Sequence, residues 1–265
     1  MILLIDIGNS RTKYVQFFDG KVSETLQLNN QDFNVEYFTL SFSHASRIII
    51  ANVAKSALTT ELASWCAQQE ISFTQVHSEK SKDTLTSTEI RTLTSAYQEP
   101  STLGVDRWLA LLGTINLFPH ENVLIIDAGT ATTIDLLASN GQHQGGWILA
   151  GVKALFNSII SNSTLVHAEL KGKPSLVFGT STTDNVNNAC WAATLGMIQQ
   201  GIIQAQQFSD IDRIVLTGGD GKALTTLLLA QNSEGSLAEA TLAVQNIQFI
   251  ENLIFYGLQT YTRST

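Results

Sequence analysis

The sequence predicts an α/β protein made of two related lobes. Short apolar runs that end in Gly alternate with helix-like segments in both halves of the chain, as expected where strands and helices are interleaved. A segment near the N-terminus also recurs in outline close to the middle of the chain. The length of 265 residues suits one or two domains. These features favour a duplicated architecture over a repeat array.

The duplication pairs Ile2–Thr12 with Val123–Thr133, 121 residues later. Leu, Ile, Asp, Gly and Thr occur at the same offsets in both copies. Each copy consists of an apolar run, an Asp-x-Gly turn and a second strand-like run. The second run covers Lys13–Phe18 in the first copy and Thr133–Ala138 in the second. We therefore expect a β-hairpin at the start of each lobe.

The lobe boundary falls just before the second hairpin. We expect an N-terminal lobe over 1–118 and a C-terminal lobe over 119–265, with the last helix able to pack back on the first lobe. Further strands are predicted at Arg47–Val53 and Arg213–Thr217, whereas Val76–Pro100 is polar and gives mixed signals. Helical patterns cover Ser56–Gln69, Gly104–Asn116, Thr183–Phe208, Gly221–Gln231 and Ala243–Tyr261.

Composition excludes several classes of protein. The formal charge is −8, from 15 basic and 23 acidic residues, and this balance disfavours nucleic-acid binding. The two cysteines, Cys66 and Cys190, form no spaced pair, so neither a zinc site nor a disulfide framework is expected. No apolar run approaches the roughly 18 residues of a membrane span. The N-terminus lacks the basic region of a signal peptide. We expect a cytoplasmic protein that binds neither membrane nor nucleic acid.

The paired Asp-x-Gly hairpins carry the strongest chemical signal. A glycine turn lets backbone N–H groups approach a phosphate, and small polar side chains add hydrogen-bonding groups without bulk. The Asp at the strand end suits a cation beside the phosphates, and Lys13 adds a positive charge. The alternative is two ordinary β-turns, since Asp and Gly are common turn residues. The matched pair favours phosphate binding. The small polar residues are Asn9, Ser10, Thr12, Thr130, Thr132 and Thr133.

A second motif runs from Leu103 to Trp108 and precedes a helical pattern. We expect Gly104 to permit an unusual backbone turn. Asp106 and Arg107 then lie near a helix N-terminus, where a carboxylate can accept a proton and a guanidinium can bind a substrate carboxylate. The alternative is an N-cap Asp with a surface Arg. Local sequence alone favours that alternative, because caps are common.

Three further stretches are rich in glycine and are interpreted as loops. They are Gly145–Gly151, Phe178–Thr182 and Thr217–Gly221. A Gly-Gly pair between a strand and a helix is a reasonable place for a nucleoside or a phosphate. The alternative for each stretch is a tight turn.

Taken in order, these motifs resemble the type III pantothenate kinases, a family of the acetate kinase, sugar kinase, Hsp70 and actin superfamily. The resemblance rests on Asp6–Lys13, Leu103–Arg107 and Asp127–Thr133, with Gly145–Ile148 and Thr217–Gly219 at matching distances. It implies two duplicated actin-like (ribonuclease H-like) lobes, each a mixed sheet flanked by helices. It also implies ATP-dependent phosphorylation of pantothenate to 4'-phosphopantothenate, the first step of coenzyme A biosynthesis, by a homodimer.

The resemblance assigns roles to individual residues. Asp106 would be the general base on the primary hydroxyl of pantothenate. Asp6 would direct the Mg²⁺ of ATP, and Asp127 would bind a monovalent cation, K⁺ or NH₄⁺. The ATP contacts would be Asp6, Ile7, Gly8, Asn9, Ser10, Arg11, Thr12, Lys13 and Thr130. The pantothenate contacts would be Tyr97, Gly104, Val105, Asp106, Arg107 and Thr182.

The sequence departs from the family pattern in places that remove no proposed catalytic group. Ala150 stands where the family's Gly-Gly-x-Ile-x-Pro-Gly loop usually has Pro, and Tyr256 stands where an acidic residue is common. Two other functions stay open. One is a nucleotide-binding regulator, because the family includes transcription accessory factors. The other is a superfamily kinase that acts on a different hydroxyl substrate.

Overall fold

The computed structural model describes residues 1–9, 11–54, 57–86, 88–233 and 246–262. The chain divides into two compact units. The first unit contains Met1–Pro119 and the C-terminal residues from Asn252 onwards. The second unit contains His120–Glu251. No helix in the described part of the chain is long and apolar enough to cross a membrane.

The sheet of the first unit is built around a buried N-terminal strand. β1 (Ile2–Ile7) runs antiparallel to β2 (Arg11–Phe18) and parallel to β5 (Arg47–Asn52), which in turn runs parallel to β6 (Ser72–Gln75). The short strands β3 (Lys21–Val22) and β4 (Leu26–Asn29) both pair with β2. The central strands β1 and β5 are almost wholly apolar because both of their faces are buried.

Helices and one extra hairpin complete the first unit. α1 (Val35–Phe42) begins at Asn34, whose side chain accepts a hydrogen bond from the Tyr37 backbone N–H at 3.1 Å. The phenylalanines of α1 pack with Trp65 of α2 (Leu58–Gln68). The hairpin β7 (Ser81–Leu85) and β8 (Ile90–Thr94) is followed by a 3₁₀ turn, Pro100–Thr102, and by α3 (Val105–Leu117).

α3 packs closely against α7 (Leu253–Gln259) because glycines lie at their contact. A Cβ atom added at Gly257 would lie 2.1 Å from the carbonyl oxygen of Leu109. A Cβ atom added at Gly113 would lie 2.6 Å from the carbonyl oxygen of Leu253. The backbones of α3 and α7 can come this close only because neither Gly113 nor Gly257 has a Cβ atom. Residues 107–115 of α3 are consequently buried on every face.

The second unit repeats the plan of the first. β9 (Val123–Ala128), β10 (Ala131–Leu137) and β11 (His143–Ala150) form an antiparallel set, and β12 (Arg213–Thr217) and β13 (Ile247–Phe249) continue the sheet in parallel from β9. The helices are α4 (Val152–Ser161), α5 (Thr182–Gln206) and α6 (Gly221–Ser233). Apolar residues of the sheet and of α5 form one buried core.

The structure confirms the α/β class and both hairpins, and it corrects two local predictions. The predicted helix Ala243–Tyr261 is wrong: the chain forms β13, then turns at Asn252 in the left-handed region with φ 54°, then forms α7. Residues 243–245 of that prediction lie outside the described residues. The predicted loop at Gly145–Gly151 is an edge strand, β11, up to Ala150. The glycines of β11 weaken the strand pattern in the sequence, but their backbone still pairs with β10.

Candidate active site

The turn of the first hairpin is closed by backbone and side-chain hydrogen bonds. The Gly8 N–H donates to the Arg11 carbonyl at 3.0 Å. The buried Thr12 hydroxyl donates to the Asn30 side-chain oxygen at 2.9 Å. The Asn30 amide then donates to the Gly8 carbonyl at 2.8 Å. Asn30 therefore fixes the turn from the loop after β4, a role that no spacing in the sequence indicates.

Lys13 is held on the same face of the sheet as Asp6. The two residues are Cα partners in the β1–β2 pair, so their side chains project to one side. The Lys13 ammonium donates to the side-chain oxygen of Asn252 at 3.1 Å. Asn252 in turn donates to the Thr25 hydroxyl at 2.9 Å. Because Asn252 directly precedes α7, this link ties the hairpin to the C-terminal helix.

The other predicted ATP contacts of the first hairpin differ in how exposed their side chains are to solvent. Asn9 and Arg11 are exposed at the turn, and Asp6 is half-buried at the end of β1. Ile7 is fully buried, so its side chain belongs to the core and only its backbone could reach a ligand. Ser10 lies outside the described residues.

The second hairpin turn is one residue shorter than the first. Four residues separate the paired Ile7 and Thr12, but only three separate the paired Ala128 and Thr132. The offset of 121 residues therefore holds only up to the turn, and Thr12 corresponds structurally to Thr132 rather than to Thr133. Thr133 lies opposite Asp127, where the first hairpin has Lys13 opposite Asp6. The second hairpin thus has a hydroxyl where the first has a cation.

Asp127 lies against a glycine loop. A Cβ atom added at Gly218, which has φ +85°, would lie 2.4 Å from Asp127 Oδ1 and 2.5 Å from the Ala128 carbonyl oxygen. The Ala128 carbonyl accepts the Asp220 N–H at 2.9 Å. Burial raises the pKa of the Asp220 carboxyl above its usual value. The side chain of Thr130 is exposed, and its carbonyl accepts the Gly151 N–H at 3.0 Å.

The start of α3 places Asp106 over Gly104. Gly104 is the N-cap residue, with an ordinary φ of −54°, so the expectation of an unusual backbone turn is wrong. The glycine is needed for space: a Cβ atom there would lie 2.4 Å from Asp106 Oδ1. That oxygen accepts the Arg107 N–H at 2.8 Å. The alternative of Asp106 as the N-cap is also wrong, because it lies inside the helix.

Arg107 is buried, which rules out the alternative of a surface arginine. The residue is only 4% exposed, and its Nη1 donates to the Tyr97 hydroxyl at 2.7 Å. The Tyr97 N–H donates to the Ser95 hydroxyl oxygen at 3.2 Å. The structure therefore brings together Tyr97, Gly104, Asp106 and Arg107 in the first unit. Ser95 contributes to this arrangement although sequence reasoning did not identify it.

Thr182 belongs to the second unit and is exposed at the first position of α5. The preceding residue, Ser181, is the N-cap, and its hydroxyl accepts the Asp184 N–H at 3.1 Å. Lys171 donates to the Asp184 carboxylate at 2.5 Å. The Lys171 hydrogen bond, followed by that of Ser181, lowers the pKa of Asp184. The start of α5 is thus fixed by polar contacts.

Comparison with solved structures identifies the fold first. The fold is that of the actin-like sugar kinases: a putative 2-dehydro-3-deoxygalactonokinase from Sinorhizobium meliloti aligns with TM-score 0.57, 14% identity and coverage of 99% of this chain and 98% of that chain. A putative Baf family transcriptional activator from Campylobacter jejuni aligns with TM-score 0.55, 22% identity and coverage of 97% and 95%.

The family follows from sequence similarity. The family model of type III pantothenate kinase matches residues 2–205. A curated type III pantothenate kinase from Colwellia psychrerythraea is 70% identical over 261 residues, which is 98% of this chain and 100% of that protein. The chain belongs to the type III pantothenate kinase family and is a kinase, as the motifs predicted.

Proposed function

We propose that this chain transfers the γ-phosphoryl group of ATP to the primary hydroxyl of pantothenate and so forms 4'-phosphopantothenate, the first step of coenzyme A biosynthesis. The proposal rests on the residues at the start of α3 in a chain of this family. There the half-buried carboxylate of Asp106 is adjacent to the buried Arg107. Arg107 donates a hydrogen bond to the Tyr97 hydroxyl. These are the groups that a carboxylate-bearing alcohol requires.

Pantothenate has two ends that need different partners. Arg107 offers a planar fork of donors to the substrate carboxylate, and the Tyr97 hydroxyl holds that fork in place. Asp106 acts as the general base that accepts the hydroxyl proton during transfer. The backbone of Gly104 and Val105 lines the same helix N-terminus. Thr182 is assigned as a further substrate contact.

ATP is assigned to the hairpin turns. Phosphoryl transfer depends mainly on positioning and on neutralising charge at the transferred group. Lys13 supplies positive charge, and the Gly8 turn supplies backbone contacts. The proposed ATP contacts are Asp6, Ile7, Gly8, Asn9, Ser10, Arg11, Thr12, Lys13 and Thr130.

Two cations complete the proposal, and the donor sets suit them. Asp6 would hold Mg²⁺ through ATP, and Asp127 would hold a monovalent cation, K⁺ or NH₄⁺. Hard cations prefer oxygen ligands. Thr133 is the Cα partner of Asp127, so its hydroxyl adds a second oxygen donor on the same side of the sheet. When bound, the cations neutralise phosphate charge.

Assembly and location are part of the same proposal. The fully exposed Phe178 and the largely exposed Val177 give the second unit an apolar surface that suits a homodimer interface. Cys66 and Cys190 are buried free thiols, which suits a reducing cytoplasm. Sedimentation equilibrium would test the dimer, since a monomer at micromolar concentration would contradict it.

The experiment is ADP release from ATP and Mg²⁺ with and without pantothenate, in potassium and then in sodium buffer, beside a panel of sugars and polyols. We expect release that depends on pantothenate and is favoured by potassium. Release with a sugar instead would support a superfamily kinase for another hydroxyl substrate. ATP binding without release under any condition would support the nucleotide-binding regulator. Equal rates in both buffers would contradict the cation assignment at Asp127.

A further inference from the structure

A cavity of about 440 Å³ lies in the first unit, and none of its lining residues belongs to the candidate active site. Its lining includes Phe17, Arg47, Lys82, Asn116 and Tyr261. Phe17 is the Cα partner of Ile2, at the opposite end of the β1–β2 pair from Asp6 and Lys13. Four strand residues from Phe17 to Lys13 correspond to about 13 Å. Asn116 lies ten residues along α3 from Asp106, which is about 15 Å.

Two cations line this cavity without carboxylate partners. Neither Arg47 nor Lys82 forms an ion pair within the described part of the chain. The Arg47 Nε atom is shielded from solvent and has no hydrogen-bond partner among those same residues, and Nη2 only reaches the Thr74 hydroxyl at 3.3 Å. The carboxylate of Asp83, which also lines the cavity, accepts the Thr92 hydroxyl at 2.6 Å. The guanidinium of Arg47 therefore has few protein partners, and it lines the cavity as a cation without a carboxylate neighbour.

Aromatic surface lies beside the cations. The Lys82 ammonium is 4.0 Å from the centroid of the Tyr261 ring. The Tyr261 hydroxyl accepts the Trp108 ring N–H at 3.0 Å and donates to Glu79 at 3.0 Å, so the ring is fixed. Burial raises the pKa of Tyr261, which keeps this hydroxyl neutral. Phe17 adds a second apolar surface.

We propose that this cavity is a second ligand site, for a small organic phosphate that carries an aromatic or apolar group. Its volume lies in the usual range for small-molecule sites, about 300–1,000 Å³. A guanidinium fork and an ammonium together suit a phosphate, and the Tyr261 and Phe17 rings suit the apolar part. The pair of cations is notable in a chain whose formal charge is −8. The site uses no residue assigned to ATP or pantothenate.

Calorimetric titration with phenyl phosphate tests the site. The wild-type protein is compared with Arg47→Met and Lys82→Met, and circular dichroism verifies the fold of each variant. Lys21→Met is the matched control, because Lys21 is exposed on the neighbouring strand β3 and does not line the cavity. We expect either cavity variant to weaken binding about tenfold or more. The Lys21→Met control should bind within about twofold of the wild type.

Three results with phenyl phosphate would overturn the proposal. One is no binding by the wild-type protein at millimolar phenyl phosphate. The second is unchanged binding in both folded cavity variants. The third is loss of binding in Lys13→Met instead, which would place the anion at the hairpin. Inorganic phosphate and benzoate complete the design. Equal affinity for inorganic phosphate would refute the role of the rings, and tighter binding of benzoate would refute the preference for phosphate.

Discussion

Helix α3, which carries Asp106, packs against α7 at Gly257, and this contact fixes the position of α3. Substitution Gly257→Ala places a Cβ atom 2.1 Å from the Leu109 carbonyl oxygen and 2.8 Å from its carbonyl carbon. Ordinary contact begins near 3.4 Å, so the helices must separate by about 1.3 Å along this line. Both neighbouring atoms are backbone, and no side chain can rotate away. The change therefore strains the packing of the two helices.

The expected loss of stability follows from two opposing terms. Overpacking a tight contact costs about 1–3 kcal/mol, and a contact with fixed backbone belongs at the upper end. The higher helix propensity of Ala returns about 1 kcal/mol. The net loss is then about 1–2 kcal/mol. In a chain of this size, 1 kcal/mol changes the melting temperature by about 2–4 °C, so we expect a decrease of about 2–8 °C.

Scanning calorimetry gives the measurement, with Gly196→Ala as the matched control. Gly196 lies inside α5, is exposed, and has nothing within 4 Å of an added Cβ atom. At Gly196 the substitution adds the higher helix propensity of Ala without any steric cost, so it stabilises the protein by about 1 kcal/mol. The two variants should therefore shift the melting temperature in opposite directions. A Gly257→Ala protein that melts at or above the wild-type temperature would refute the close-packing explanation.

Three other substitutions probe the site and its surroundings. Gly104→Ala displaces the Asp106 carboxylate, so kcat should fall about 10- to 100-fold while circular dichroism stays the same; an unchanged kcat argues against that placement. Arg107→Lys loses the planar fork, so the KM for pantothenate should rise about tenfold or more, and equal changes in the KM for ATP count against the carboxylate clamp. Asp184→Asn removes a group whose pKa Lys171 lowers. Because the pKa of Asp184 is lower in the folded state than its ordinary value of 3.8, the ionised carboxylate stabilises the fold at pH values above 3.8. This stabilisation is lost as the pH falls through the pKa of the folded state. Urea denaturation should thus show a deficit at neutral pH that disappears in acid, and a deficit independent of pH contradicts the ion-pair explanation.

The sequence predicted those elements whose signal is local. β12 was predicted at Arg213–Thr217 and has those bounds, because a short apolar run there ends directly at a Gly-Gly pair. The hairpins were predicted because an apolar run and an Asp-x-Gly turn occur together twice in the chain. α1 and α4 were not predicted, since both are short and α1 depends on the cap at Asn34. The prediction of one C-terminal helix failed because the left-handed turn at Asn252 interrupts an apolar pattern that otherwise continues.

The site shows a similar division. The position of Asp106 and Arg107 near a helix start follows from adjacent residues and was predicted. The burial of Arg107 depends on tertiary packing around its partner Tyr97, so the local pattern favoured a surface residue. The contact of Gly257 with Leu109 joins residues 148 positions apart and leaves no pattern in a single sequence. The shorter second turn became visible only through strand register.

The base at Asp106 is the most direct test of the proposed reaction. Asp106→Asn keeps the shape of the side chain but cannot accept the proton of the pantothenate hydroxyl. We expect ATP affinity, measured by calorimetry, to stay within about twofold, since the assigned ATP contacts lie on the hairpins. Pantothenate-dependent ADP release should fall about 10²- to 10⁴-fold. Turnover equal to that of the wild-type enzyme would contradict the assignment of Asp106 as the catalytic base.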